Sequence, residues 1–126
     1  MKKILLVEDD SAIIDIYEIM MKKAGFDVQV ISLGQDVIKK IKKIETREEI
    51  KPDIILLDLI LPDINGMEVL SEIRKSDATK NIKVFILTNQ EKAEFQEKEG
   101  IKPDKFIIKA NITPTQLIEL IKKELH

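Results

Sequence analysis

Several residue types are scarce or missing in this 126-residue sequence, and each absence excludes a class of chemistry. Because there is no cysteine, disulfides, thiol catalysis and cysteine-ligated zinc or iron–sulfur sites are excluded. The single histidine is His126, the last residue, which argues against a histidine-based catalytic dyad or metal site. Tryptophan is absent and Tyr17 is the only tyrosine, so stacking of aromatic side chains on nucleic-acid bases is not expected.

Long apolar runs and a strong excess of one charge are also missing. No stretch approaches the roughly 20 apolar residues of a membrane span. The apolar run that begins at Ile4 stops at Val7, which is too short for the core of a signal peptide. We therefore expect a cytoplasmic protein without membrane contact. The formal net charge is only −2, so no direct binding of nucleic acid is expected.

Glycine and proline are sparse, with four of each, and they separate segments of regular apolar spacing. Short apolar runs typical of buried strands alternate with stretches of helical periodicity. The predicted strands are Ile4–Val7, Val28–Ile31, Ile54–Leu57, Ile82–Leu87 and Lys105–Ile108, and the predicted helices are Ser11–Ala24, Val37–Ile44, Met67–Ile73, Gln90–Glu99 and Pro114–Leu125. The Asn65-Gly66 pair predicts a turn with positive φ, a geometry that suits glycine.

This alternation of strands and helices predicts an α/β fold with one domain over residues 1–126. The expected architecture is a doubly wound five-stranded parallel sheet, in the common order 2-1-3-4-5, flanked by five helices. Ligands bind such sheets beyond the carboxyl ends of the strands. Glu8 and Asp9 end the first strand and Asp58 ends the third, so we expect these three carboxylates in one pocket. Thr88 and Lys109 end the fourth and fifth strands.

Carboxylates that share a pocket repel one another. At an effective dielectric constant near 20, two such charges 4 Å apart cost about 4 kcal/mol. A hard divalent cation offsets this repulsion, and Mg²⁺ suits a site with one or two carboxylates, water and phosphate oxygens. The expected cofactor is therefore Mg²⁺, with the Lys109 ammonium as a second positive charge.

Four motifs in order resemble one known family, the receiver domain of bacterial two-component response regulators. They are Leu5–Asp10, Asp58–Glu68, Ile86–Thr88 and Phe106–Lys109. The resemblance covers essentially the whole chain, and it implies the flavodoxin-like receiver fold. Because each motif stands at the end of a predicted strand, the set is far more specific than any one of its members.

The resemblance also implies roles for the acidic residues. Asp58 would accept a phosphoryl group from a phosphohistidine on a sensor histidine kinase or a phosphotransfer protein. Asp9, Asp58 and the backbone carbonyl of Ile60 would coordinate Mg²⁺, with Glu8 acting through water. A carboxylate nucleophile needs little more than charge neutralisation on the transferring oxygens, so the lack of histidine and cysteine does not count against this chemistry.

Three further residues complete the implied set. Thr88 and Lys109 would contact the phosphoryl group, and Thr88 and Phe106 would form a switch that changes the surface of the last two helices. The resulting expectation is a single-domain response regulator, a phosphoacceptor with possible self-phosphorylation and self-dephosphorylation rather than an enzyme. Its output would be a downstream protein target.

Three alternatives remain open at this point. A phosphorylation-independent interaction module gains some room from Ala110 and Asn89, which stand where receivers usually have proline and a small residue. A flavodoxin-type flavin binder needs a glycine- and hydroxyl-rich loop where this chain has Glu8–Asp10. A phosphohydrolase with an aspartyl nucleophile needs a second acid two residues after the first, where this chain has Ile60.

Overall fold

The computed structural model describes residues 1–89 and 101–126, and its centre is one parallel β-sheet. The strands are β1 (Lys3–Val7), β2 (Asp27–Ile31), β3 (Ile54–Leu57), β4 (Lys83–Thr88) and β5 (Lys105–Ile108). Their order in the sheet is β2-β1-β3-β4-β5, with all neighbouring pairs parallel. This confirms the predicted α/β fold and strand order.

Helices connect these strands over both faces of the sheet. They are α1 (Ser11–Lys23), α2 (Gly34–Glu45), α3 (Gly66–Lys75) and α4 (Pro114–Glu124), with a single 3₁₀ turn at Lys109–Asn111 before the last of them. The helix predicted over Gln90–Glu99 lies outside the described residues. Within the described ranges, no helix has the length and apolar character needed to cross a membrane.

The apolar core is divided by the sheet into two clusters. Alternate residues of the central strands point to opposite faces, so Leu5 and Leu57 pack under α2 and α3 while Leu6 and Leu56 pack under α1 and α4. This explains why these strands are apolar at nearly every position. Because Val7 and Leu57 are partners in the register between β1 and β3, the residues that follow these two strands emerge side by side.

Local sequence signals set the ends of α1 and α4. The Asp10 carboxylate accepts hydrogen bonds from the backbone N–H groups of Ala12, at 3.0 Å, and Ile13, at 3.2 Å, and so caps α1. Gly25 follows α1 with φ of +95°, a conformation that favours glycine. At α4, Thr113 and Gln116 form the predicted capping box.

The expectation of a positive-φ turn at Asn65-Gly66 was wrong. Asn65 has φ of −70° and is the N-cap of α3, where its side chain accepts a hydrogen bond from Met67 N at 2.8 Å. Gly66 is the first residue of the helix. A β-carbon there would collide with the carbonyl oxygen of Asp58 and lie 2.6 Å from the α-carbon of Leu59. Glycine is therefore required by close packing against the end of β3, not by its backbone dihedral angle.

Candidate functional site

Three carboxylates meet where β1 and β3 end. Glu8, Asp9 and Asp58 each offer an oxygen, and these oxygens lie within 4.8 Å of one another. Glu8 and Asp58 are buried, whereas Asp9 is exposed at the rim. They line a cleft of about 210 Å³, which is also lined by Thr88 and Lys109. The structure thus brings together the acidic residues that the strand order placed at this edge of the sheet.

The Lys109 ammonium lies between two of these acids. Its Nζ is 2.5 Å from Oε2 of Glu8 and 3.0 Å from Oδ2 of Asp58. Only 9% of the Lys109 side chain is exposed, so solvent screens these pairs weakly. The peptide bond to Ala110 is trans, and the backbone turns through the 3₁₀ segment directly after β5. This path still directs the ammonium at the acidic cluster.

Burial and charge shift the titration of this pair. Burial raises the pKa of the Glu8 carboxyl group, and the nearby Asp58 charge raises it further, against the opposing effect of the Lys109 hydrogen bond. Burial alone would lower the pKa of Lys109, but the hydrogen bonds to Glu8 and Asp58 outweigh it and raise the pKa. Lys109 therefore stays protonated, as an electrostatic partner for acidic oxygens must.

The donor set fits a hard divalent cation. The three clustered carboxylates and the Lys109 ammonium together carry a formal charge of −2, which one divalent cation neutralises. Carboxylate oxygens are the ligands that Mg²⁺ prefers, and the remaining positions of its octahedron are usually filled by water or phosphate oxygens. Glu8, Asp9 and Asp58 could therefore hold such an ion.

Of the other predicted site residues, Ile60 and Thr88 line this cleft, whereas Phe106 does not. Ile60 is 63% exposed at its mouth, and the Ile60 N–H donates a hydrogen bond to Oδ1 of Asp58 at 3.2 Å. Thr88 is buried at the end of β4, and Asn89 follows it on the exposed rim. Phe106 is half-buried on β5 and packs against the same core cluster as Ile86, its register partner. By strand parity, Thr88 and Phe106 share one face of the sheet.

Comparison with known proteins decides the family. The sequence profile of the response regulator receiver domain matches residues 4–122. The chain belongs to the response regulator receiver domain family. Receiver domains are phosphoacceptor modules of two-component signalling and act with histidine kinases or phosphotransfer proteins; they are not classical enzymes.

Individual relatives agree with this assignment. The DNA-binding dual master transcriptional regulator RpaA of Synechocystis is 36% identical over 88 residues, which cover 70% of this chain and 34% of RpaA. The phosphorylated cyanobacterial phytochrome response regulator RcpA has a TM-score of 0.79 at 28% identity, covering 97% of this chain and 89% of RcpA. The Mn²⁺-bound response regulator Rcp1 has a TM-score of 0.79 at 25% identity, covering 98% of this chain and 91% of Rcp1.

The curated relatives are much longer than the receiver domain described here. The chain spans 34% and 27% of the length of two transcriptional regulators that it matches. The activities of those whole proteins therefore belong to them, and only the receiver portion is shared.

Sequence reasoning gave Gly66 the wrong role and missed the role of Asp63 in shaping this receiver site. Gly66 allows α3 to begin against the backbone of Asp58, and Asp63 binds the start of α2 from the loop that follows β3. No sequence signal pointed to the second contact, because the helix was predicted only from Val37 onward. In the structure α2 begins after Leu33, whose side chain does not cap it, so its first amide groups need an acceptor from elsewhere.

Proposed function

We propose that residues 1–126 form one receiver domain that accepts a phosphoryl group on Asp58 in a Mg²⁺-dependent reaction. The observation that carries this proposal is the position of the Asp58 carboxylate, 3.0 Å from the Lys109 ammonium and beside the carboxylates of Glu8 and Asp9. This combination provides a nucleophile, a fixed positive charge and oxygen ligands for a divalent cation in one cleft.

The proposed donor is a phosphohistidine on a sensor histidine kinase or a phosphotransfer protein. An Asp58 carboxylate oxygen attacks phosphorus, and the phosphorus–nitrogen bond breaks, with its electron pair returning to the donor imidazole. The product is an acyl phosphate on Asp58. The Lys109 ammonium stabilises the negative charge on the transferring oxygens, and Thr88 is the proposed hydrogen-bond donor to the new phosphoryl group.

Glu8, Asp9, Asp58 and the backbone carbonyl of Ile60 are the proposed ligands of Mg²⁺, which supplies further neutralisation of charge on the transferring oxygens. The Mn²⁺-bound form of Rcp1 supports a divalent cation as the cofactor. The phosphorylated form of RcpA supports phosphoryl transfer as the chemistry.

The proposed consequence is a change of protein-binding surface. Thr88 and Phe106 lie on the same face of neighbouring strands, so an inward shift of Thr88 toward a phosphoryl group opens space that the Phe106 ring can fill. Such a shift selects one of two side-chain arrangements and alters the surface near α4, where a downstream protein would bind.

Phosphorylation by a small donor tests the function without a kinase. Wild type is incubated with acetyl phosphate and either Mg²⁺ or a chelator, and its mass is measured. Asp58→Asn is the test variant, and Asp15→Asn, on the exposed side of α1, carries the same loss of charge away from the cleft. We expect a Mg²⁺-dependent gain of one phosphoryl group in wild type and Asp15→Asn, and none in Asp58→Asn. Without any gain in wild type, a phosphorylation-independent interaction module becomes the better description.

A further inference from the structure

The start of α2 is capped by a residue from a different loop. Oδ1 of Asp63 accepts a hydrogen bond from the backbone N–H of Gly34 at 2.8 Å, and Oδ2 accepts one from Gln35 at 2.9 Å. Asp63 lies 29 residues beyond Gly34, in the loop that joins β3 to α3. Both oxygens of one carboxylate are therefore used to hold the first turn of α2 to this loop.

Packing fixes the same junction independently. Gly34 is buried, and a β-carbon there would collide with Cγ1 of Ile64 and lie 2.8 Å from its Cδ1. It would also lie 3.0 Å from Cγ2 of Val69 on α3. The Ile64 side chain, from the loop after β3, therefore packs directly against the backbone of α2 at Gly34.

The loop is also closed on itself at the end nearer the cleft. Ile60 and Asn65 form an isolated antiparallel bridge, and the N–H of Gly66 donates to the carbonyl of Leu59 at 2.7 Å. The N–H of Ile60 donates to Oδ1 of Asp58. These bonds join the two ends of the loop, and the last of them connects the loop to the Asp58 carboxylate.

We propose that Asp63 is a positioning residue for the Mg²⁺ and phosphoryl site. Its carboxylate ties the loop to α2 and so fixes the backbone of Ile60, whose carbonyl is a proposed metal ligand. This inference rests on the proposed function. Groups that orient the ligands of a metal are worth roughly 10–100-fold in metal affinity, although they do not touch the ion. Asp63 acts in this way through the loop.

The test separates metal affinity from phosphorylation chemistry. The Mg²⁺ concentration that gives half-maximal phosphorylation by acetyl phosphate is measured for wild type, Asp63→Asn and Asp63→Ala, together with the rate at saturating Mg²⁺. For Asp63→Ala we expect the half-saturating concentration to rise roughly tenfold, with the saturated rate largely kept. Asp63→Asn retains one acceptor oxygen and has nearly the same shape, so its shift should be smaller.

Two further variants complete the design. Asp36→Ala removes an acidic side chain from the first turn of the same helix without touching the loop, so it should leave the half-saturating concentration unchanged. Gly34→Ala disturbs the junction from the other side, by pushing on Ile64, and should raise that concentration as Asp63→Ala does. Alanine has a higher helix propensity than glycine. Any loss of Mg²⁺ affinity in Gly34→Ala would therefore come from the contact with Ile64 and not from a weaker helix.

The outcomes distinguish this inference from the proposed function. If wild type takes up no phosphoryl group, the proposed function fails. If wild type is phosphorylated on Asp58 and the Asp63 variants have lower thermal stability but an unchanged Mg²⁺ requirement, Asp63 is only a structural cap and the positioning role is wrong. In NMR spectra, Mg²⁺ should shift the Gly34 and Gln35 amide signals of wild type and not those of Asp63→Ala. If the Gly34 and Gln35 signals of wild type do not respond to Mg²⁺, the proposed link between the start of α2 and the metal site is wrong.

Discussion

The ammonium of Lys109 and the carboxylate of Asp58 lie 3.0 Å apart although 51 residues separate them in the sequence. Each follows the carboxyl end of a different parallel strand, and β4 lies between those two strands in the sheet. The long lysine side chain reaches across the end of β4 to the acidic cluster. The charge balance of the cleft therefore depends on one lysine that contacts two acids, Glu8 and Asp58, from distant parts of the chain.

Replacing Lys109 with methionine keeps much of the side-chain volume but leaves Glu8 and Asp58 buried without a positive partner. We expect a loss of unfolding free energy on the order of 2 kcal/mol in the presence of a chelator, because unpaired buried charge is costly. Phosphorylation by acetyl phosphate should fall at least about 100-fold, as expected when charge stabilisation in the transition state is removed. Urea unfolding and mass spectrometry measure the two effects.

Lys105→Met is the matched control for this prediction, because Lys105 is exposed at the start of the same strand. It should change neither stability nor phosphorylation appreciably. Phosphorylation of Lys109→Met at the wild-type rate would show that the ammonium is not needed for the reaction.

Ile60 presents an apolar side chain at the mouth of the cleft, beside the proposed acyl phosphate. An isoleucine side chain cannot hydrogen-bond and orient the water that would hydrolyse this group, so we expect slow self-dephosphorylation. Ile60→Gln supplies a hydrogen-bonding group and should accelerate hydrolysis by roughly an order of magnitude. The decay of phosphorylated protein after removal of acetyl phosphate gives the rate.

Ile50→Gln tests whether this effect is local. Ile50 is also an exposed apolar residue, but it does not line the cleft. Its phosphoryl half-life should equal that of wild type. A wild-type half-life as short as that of Ile60→Gln would contradict the role of Ile60.

Much of this architecture could be predicted because the apolar pattern of a doubly buried strand is distinctive. The runs at Ile4–Val7 and Ile54–Leu57 are apolar on both faces, and the alternation with helices implied parallel neighbours. From that topology, Glu8 and Asp58 had to emerge side by side. This is why the acidic cluster could be derived before any contact was known.

Contacts between loops could not be predicted in the same way. The Asp63 cap on α2 depends on the path of two connections through space, and neither has a repeating pattern. Gly66 illustrates a second limit. A missing β-carbon serves either a positive φ or a close approach of the backbone, and the sequence does not distinguish these two needs.

The contact at Gly66 gives a third prediction. In Gly66→Ala, the new methyl group would press on the backbone of Asp58 and Leu59. This backbone continues directly from β3, so it cannot easily shift to make room. We expect a loss of about 1–3 kcal/mol in unfolding free energy, typical of overpacking, and slower phosphorylation because the acceptor is displaced. Glu68→Ala, on the exposed side of the same helix turn, should leave both quantities near their wild-type values. An equally stable and equally active Gly66→Ala protein would contradict the close approach.

Arg47 gives a fourth prediction, at the end of α2. It follows the C-cap residue Thr46 and has φ of +64°, a conformation that is strained for residues with a side chain. Arg47→Gly should therefore stabilise the fold by about 1 kcal/mol, measured by urea unfolding. Arg47→Ala removes the same side chain but keeps the strain, so it should not gain this stability. Destabilisation by glycine would show that the arginine side chain stabilises the turn by more than the strain costs.

The final prediction concerns the pH dependence of the cap on α2. The backbone N–H groups of Gln35 and Gly34 hold the pKa of Asp63 below its ordinary value of 3.8. A carboxyl group whose pKa is lowered by folding contributes stability above its unfolded pKa, and this contribution is lost as pH falls through the folded pKa. The difference in unfolding free energy between wild type and Asp63→Asn should therefore be constant near neutral pH and shrink below about pH 4.

Unfolding by urea at a series of pH values measures this difference. Asp15→Asn carries the same charge change on the exposed side of α1, where the side chain accepts no hydrogen bond from a backbone amide of residues 1–89 or 101–126, so it should not reproduce the profile. Because the hydrogen bonds to Gly34 and Gln35 exist only in the folded state, they are the source of the expected pH dependence. A difference between wild type and Asp63→Asn that is unchanged from neutral pH down to the acid transition would mean that the Asp63 charge contributes nothing to the cap.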